Sequence, residues 1–308
     1  MSPTPSPLRG ILLMITAVSL FVVMGSLVKA AIRIPPGEAV FFRAFCALPV
    51  IVVWLALRGE LGVGLRVGNW RGHAVRALAG STAMGLGFLG LKLIPLPEAT
   101  AIRFATPILV LVFAALILGE RIRLIRISAV VVGLIGVSIV MWPRLSFDAG
   151  DLALVGALVT LGSAALAALA QVFLRAMAGT ERTTAIVFWF SATASVLSLL
   201  TSPFGWVWPQ GYEWALMIGA GLIGGLGQIL LTSSYRFAEA STLAPFTYVS
   251  MIWALIIGYL VFGEVPTAPM LAGAALVIAA GVAIVLRERA LGRQLTAEGK
   301  VRSLMKGG

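Results

Sequence analysis

Long apolar runs alternate along this chain with short segments that carry most of its charges, prolines and glycines. Ten runs can be marked, at about 11–31, 39–57, 74–92, 96–118, 124–142, 152–174, 185–202, 214–235, 241–262 and 269–286. Each holds roughly twenty residues, the length of helix that crosses a hydrocarbon core of ~30 Å. Backbone groups in lipid must bond within their own segment, and a barrel would need short alternating strands instead. The pattern therefore predicts an all-α polytopic membrane protein with ten transmembrane helices.

Composition agrees with the pattern. Of 308 residues, 60% are hydrophobic and only 11% are charged. Mean hydropathy is +1.03. A soluble domain of this size cannot hide that much apolar surface. A soluble enzyme, a disordered chain and a collagen-like fibre are excluded. The first run is too long for a signal-peptide core and no small-x-small site follows it, so it reads as a retained helix. The one cysteine, Cys46, has no partner for an intrachain disulfide.

The charges orient the chain. With ten spans both termini lie on one side. Seventeen of the 23 basic residues then fall on that side, including Arg58, Arg66, Arg71, Arg76, Arg121 and the tail from Arg287 to Lys306. Four fall on the other: Lys29, Arg33, Lys92 and Arg144. Such a bias places both termini in the cytoplasm. Net charge of +11 is thus a matter of topology, and no nucleic-acid partner is expected. The basic tail either lies on anionic lipid or serves as a solvated anchor.

The chain also repeats itself. Glu98-Ala99-Thr100 opens the fourth span as Glu239-Ala240-Ser241 opens the ninth. Gly119-Glu120 closes the fourth as Gly263-Glu264 closes the ninth. Gly136-Val137-Ser138-Ile139-Val140 is echoed by Gly281-Val282-Ala283-Ile284-Val285. The offsets are 141, 144 and 145 residues. Each copy has five spans, an odd number, so the second inserts upside down, as in many secondary transporters.

These features resemble the drug/metabolite transporter superfamily, in the group with two EamA-type repeats. The resemblance rests on Pro95-Leu96-Pro97-Glu98-Ala99, Pro107 with Gly119-Glu120-Arg121, and Gly133-x-x-Gly136. It continues in Gly224-Gly225-Leu226-Gly227-Gln228, Tyr235-Arg236-x-Ala238, Ala244-Pro245-Phe246-x-Tyr248, Trp253, Gly258-Tyr259 and Phe262-Gly263-Glu264-x-Pro266. It implies EamA-like repeats at 8–143 and 150–287, with the basic tail at 288–308. It also implies a central cavity lined mainly by spans 1, 3, 4, 6, 8 and 9, and a bacterial inner-membrane location. Relatives of this kind move amino acids, vitamins, nucleotide-like metabolites or toxic organic cations.

Six residues are candidates for substrate binding. Arg43 and Arg103 lie within spans, where an arginine faces a bundle interior, a cavity or the interface. Each either grips a substrate carboxylate or phosphate, or snorkels and bonds to free helix-end carbonyls. Gln228 in span 8 and Gln171 in span 6 both donate and accept. Tyr248 and Trp253 add aromatic surface in span 9. Trp142, Trp206, Trp208 and Tyr259 read as interface anchors. Lone His73 reads as a solvated loop residue. All twelve acids sit at span ends, in loops or in the tail, which disfavours a deep proton-coupling carboxylate. Glu120 and Glu264 are expected to cap helices or pair with loop arginines. Pro49, Pro107 and Pro245 break spans 2, 4 and 9. Rows of small residues, such as Ser81/Gly85, Ala83/Gly87 and Gly221/Gly225, mark close helix contacts.

The sequence therefore predicts a secondary transporter of small organic metabolites working by alternating access, and not an enzyme. Export of amino-acid-like or amphiphilic compounds is the first reading. The alternatives are uptake of a vitamin or nucleoside-like metabolite, or a passive facilitator or channel. No cofactor or metal is expected, there is no ATP-binding P-loop, and the partners are a small-molecule substrate and the bilayer, with the chain a monomer or homodimer.

Overall fold

The computed structural model describes residues 7–62, 64–118, 124–145, 151–177, 181–234, 237–238, 243–280, 282–283 and 286. The helices are α1 (Pro7–Ala30), α2 (Pro36–Phe45), α3 (Ala47–Leu57), α4 (Trp70–Leu93), α5 (Leu96–Arg103), α6 (Ala105–Leu118), α7 (Leu124–Leu145), α8 (Asp151–Met177), α9 (Thr183–Leu199) and α10 (Tyr212–Ser234). A 3₁₀ turn, Ala244–Tyr248, leads into α11 (Val249–Phe262), and α12 follows as Ala268–Ala280. No strand occurs among the described residues. Among the described residues, five helical stretches are long and apolar enough to cross a membrane: Leu8–Ala30, Pro36–Leu57, Trp70–Leu93, Leu152–Leu174 and Tyr212–Ser234. Shorter apolar helices are Val131–Trp142, Thr184–Leu199, Phe246–Phe262 and Ala268–Ala280. Gly119-Glu120-Arg121, Tyr235-Arg236, Glu239-Ala240-Ser241, Gly281 and the tail 288–308 lie outside the described residues.

Proline chemistry sets the breaks. α2 gives way to α3 at Cys46, three residues before Pro49, and α5 to α6 at Phe104, three residues before Pro107. A proline has no N–H for the carbonyl four residues back, and its ring crowds that carbonyl, so the helix bends there.

The third span starts earlier than expected. The span predicted from residue 74 begins at Trp70, because Asn69 caps it: the Asn69 side chain accepts from Gly72 N at 3.0 Å. His73 therefore sits inside α4 rather than in a loop, Arg76 lies more than a turn from its start, and both are buried.

The helices pair in a pattern that survives exchange of the two halves. The two broadest interfaces are α1 against α10 and α4 against α8. Counting spans within each half, exchange of the halves carries one of these onto the other. The contacts of α2 with α10 and of α4 with α9 form a second such couple. Elements at corresponding places also meet directly. Pro97 of α5 fills the space a Cβ on Gly258 of α11 would need, and Gly136 of α7 faces Gly273 of α12. Small residues make these approaches possible. Ser163 of α8 donates to Ala83 O of α4 at 2.6 Å across the Ala83/Gly87 row. The Gly221/Gly225 row of α10 lies on Phe42, Cys46 and Ala47.

Polar contacts gather at the two ends. At the first end, α1 and α4 exchange lysines: Lys29 Nζ donates to Leu91 O and Ile94 O at 2.9 and 2.8 Å, and Lys92 Nζ donates to Ala31 O at 2.8 Å and to Ile34 O. Each amine satisfies the carbonyls that a helix end leaves unpaired and complements its dipole. Lys29 also pairs with Glu264 at 2.8 Å, and Glu264 accepts Leu96 N at 2.8 Å, capping α5. Arg33 reaches Glu213 at 3.4 Å, and Glu38 accepts Val207 N at 3.0 Å. All of the ties through Glu264, Glu213 and Val207 join the first half of the chain to the second. At the opposite end Glu181 accepts Gly68 N and Asn69 N at 2.8 and 2.6 Å.

A Cβ added at Gly221 would stand 2.6 Å from Phe42 O. Gly221→Ala should therefore lower the unfolding midpoint of the purified protein, by an amount corresponding to about 1–3 kcal/mol of overpacking. Gly62→Ala, which meets nothing within 4 Å, is the control. Equal midpoints would show that α10 does not pack closely on α2.

Candidate functional site

The deepest unusual chemistry is a pair of buried arginines around one aromatic ring. Arg43 of α2 and Arg76 of α4 are 5% and 7% exposed. Their guanidinium carbons lie 5.8 and 4.7 Å from the centroid of Phe190 in α9. Arg76 also donates to Ile186 O at 3.1 Å. Arg43 Nε and Nη1 find no hydrogen-bond partner, and neither does Ser81 Oγ of α4. Among the described residues, neither arginine makes an ion pair; the pairs are Lys29–Glu264, Arg33–Glu213 and His73–Glu181.

The fold brings these residues together by register. α2 and α4 run in opposite directions, and Val40 meets Gly85. Counting one turn from that contact along each helix puts Arg43 and Ala44 at the level of Ser81. Gly80 gives up its side chain to the Phe190 ring, and Gly224 of α10 leaves room for Arg43, whose Nε would lie 3.4 Å from a Cβ there. A guanidinium buried without a counter-charge loses several kcal/mol of hydration. One cation–π contact returns only about 0.5–2 kcal/mol. The cluster is therefore held by the surrounding packing, and it leaves cationic donors unanswered.

Arg103 has a different setting. The residues around it on α5 and the start of α6 are walled in: Ala101, Ile102, Phe104 and Ala105 are all buried. Arg103 and Pro107 are exposed and Thr100 is half-buried. Spaced three and four apart, they form one narrow open stripe on an otherwise enclosed helix. Tyr248, itself buried, stands edge-on to Phe104 at 5.0 Å beside this stripe.

The other expected residues divide. Gln228 is half-buried one turn beyond Gly224, on the side of α10 that faces Arg43, with Nε2 3.5 Å from Thr232 Oγ1. Trp253 is 40% exposed and shares its side of α11 with exposed Ile252, Ile256 and Leu260. That side is apolar, and it sets Trp253 apart from the arginines. Gln171 is exposed on α8, between Ala168 and Val172, which pack on Val110 of α6. A groove of about 410 Å³ lined by Ile135, Ser138, Ile139, Trp142 and Pro269 is apolar, and none of these groups lines it.

Snorkelling does not describe Arg43, whose guanidinium is turned into the helix core. The solvated-loop reading of His73 is also corrected: it is 5% exposed, 3.6 Å from Glu181. Arg76 and Phe190 belong to the cluster and were missed. Asn69 signals the early start of α4 and so the burial of Arg76. Nothing in the sequence distinguishes Phe190 from its apolar neighbours. Glu264 caps a helix as expected, but its ionic partner is Lys29 rather than an arginine. Glu120 lies outside the described residues.

Comparison with known proteins places the chain in context. The EamA-like transporter family matches residues 8–142 and 154–287. A pseudopaline exporter of Pseudomonas aeruginosa is 32% identical over 277 residues, covering 89% of this chain and 95% of that protein. An S-adenosylmethionine uptake transporter of Rickettsia felis is 27% identical, with 83% and 85% covered. A riboflavin transporter of Vibrio cholerae is 26% identical, with 90% and 93% covered. A solved crystal structure superposes with a TM-score of 0.67 at 21% identity, over 93% of this chain and 99% of its own, which shows a common fold.

The open stripe is testable by thiol access. In a Cys46→Ser background, Arg103→Cys should react with a charged, membrane-impermeant maleimide in detergent-solubilised protein about tenfold faster than Ile102→Cys, because reactivity follows exposure. Equal rates at the two positions would remove Arg103 from an accessible surface.

Proposed function

Because the chain belongs to the EamA-like transporter family, we propose that it exports small organic metabolites, amino-acid-like or amphiphilic, by alternating access between two inverted five-helix halves. It is a multi-pass membrane protein and a transporter of a small molecule, not an enzyme. The finer reading gives ten spans, repeats at 8–143 and 150–287, both termini in the cytoplasm and a bacterial inner-membrane location. The 32% identical relative is named an exporter, which supports the direction. Relatives named for uptake, at 26–27% identity, make import of a vitamin or nucleoside-like compound the second reading.

One observation carries the mechanism. The polar ties at the first end run between halves: Lys29 to Glu264, Glu264 to Leu96 N, Arg33 to Glu213, and Glu38 to Val207 N. Under the charge bias this end is the outer one. An outer face closed by inter-half ion pairs and capping bonds is a gate that opens only when the halves move apart. The exchange-symmetric helix pairing supports two such halves. On this reading Arg103 and Tyr248, from corresponding spans of the two halves, stand beside the transport path, with Gln228, Arg43, Gln171 and Trp253 as further contacts to be assigned by mutation.

In proteoliposomes, the protein should catalyse saturable counterflow of a metabolite. In a Cys46→Ser background, Arg33→Cys with Glu213→Cys, joined by a short reducible thiol crosslinker, should abolish that flux, and reduction should restore it. Full flux through the crosslinked protein would rule out an opening at this end.

A further inference from the structure

We propose that Arg43, Arg76 and Ser81 form a binding site for the carboxylate group of a small organic anion, built at the junction of α2, α4, α9 and α10. The site's service as a station on the transport path rests on the transporter reading. Its capacity to hold a carboxylate does not.

Four observations converge. Two guanidiniums approach the same Phe190 ring at 5.8 and 4.7 Å, so they lie no farther apart than those two distances together. Both are nine-tenths buried or more. Unanswered donors occur on both edges of the Arg43 guanidinium: Nε belongs to its side edge and Nη1 to its end edge. A buried hydroxyl, Ser81 Oγ, also lacks a partner, and counting one turn from the Val40–Gly85 contact along each helix puts it at the level of Arg43. Acids at both ends of the bundle are engaged elsewhere: Glu38 accepts Val207 N and Glu213 holds Arg33 at the first end, and Glu181 holds His73 and the backbone of Gly68 and Asn69 at the other.

Chemistry then selects the ligand. Two like charges gathered at one buried junction repel a cationic group and attract an anionic one. A planar carboxylate matches either edge of a guanidinium with paired charge-assisted bonds. The hydroxyl of Ser81 adds a neutral donor. Phe190 keeps both cations oriented by its ring face. Gly224 matters because Arg43 lies against α10 there, its Nε 3.4 Å from where a Cβ would stand, while Met24 Sδ would be only 2.7 Å away. Lipid headgroups do not reach guanidiniums so enclosed, so the anion comes from a free solute. The donors are sealed in this conformation, and the site loads when the helices part.

The test uses the purified full-length protein in detergent. Glutarate and benzoate are titrated against the unfolding midpoint, with glutaramide and benzamide as uncharged matches and inorganic phosphate as a second oxyanion. Carboxylates should raise the midpoint saturably, and the amides should not. Arg43→Met and Arg76→Met should each weaken the apparent affinity about tenfold or more, while Arg58→Gln, over Trp54 at a surface turn, should leave it unchanged. If either methionine variant fails to fold, Ser81→Ala and Arg76→Lys should each weaken the response about threefold or more. Equal responses to acids and amides, no response to any carboxylate, or an unaltered response in folded variants overturns the proposal. A response to phosphate alone overturns the carboxylate assignment. Saturable carboxylate binding without any counterflow would keep the site and overturn the transporter reading. Counterflow without a carboxylate response does the reverse.

Discussion

The architecture depends on backbones coming close across the two halves of the chain. Lipid supplies no hydrophobic force to press helices together, so contact area and internal hydrogen bonds must do it. The sequence meets that demand with glycine, alanine and serine on the facing sides of α4, α8 and α10. Ser163 reaches the Ala83 carbonyl only because Gly87 offers no side chain there. Gly221 and Gly225 let α10 rest on α2 and α3. The cluster of Arg43, Phe190 and Arg76 sits where two such approaches fall, at Gly80 and Gly224.

Close packing has a second consequence. Charges carried into the bundle cannot rely on water, so each is either paired, bonded to a carbonyl, or left as an unspent donor. Lys29 and Lys92 take the carbonyl route, tying α1 and α4 at their ends. Lys29 also takes an acid, Glu264, which in turn caps α5, so one small knot fixes three elements from two halves. Arg43 takes neither route in full. The contrast between the tied ends and the unanswered core separates what holds the molecule shut from what is available to a ligand.

Much of this was legible in the sequence because it follows from periodicity and punctuation. The prolines announced the breaks that fall at Cys46 and Phe104. The small-residue rows announced the contacts of α4 and α10. Glu264 was recognisable as a helix cap. What escaped was set by three-dimensional register. Arg76 reads in the sequence as a charge at the cytoplasmic end of its span, but Asn69, a capping residue, carries α4 back to Trp70 and sets Arg76 more than a turn inside it. His73 was misplaced for the same reason. Phe190 could not be singled out, since an aromatic in an apolar helix has no sequence mark to say that two cations will lie against it. Trp253 was chosen by residue type, and its position among exposed aliphatic side chains on α11 depends on which face of that helix meets α5.

The central claim is that the halves separate at the end now closed by Lys29 and Glu264. It is tested most directly by a distance measurement between spin labels at Ile32→Cys and Val265→Cys, both highly exposed, in a Cys46→Ser background in lipid nanodiscs. Pulsed electron paramagnetic resonance should show a short population matching the closed end and a longer one whose weight changes when a transported metabolite is added. A single narrow distance, unmoved by any compound that the protein carries in counterflow, would contradict the account.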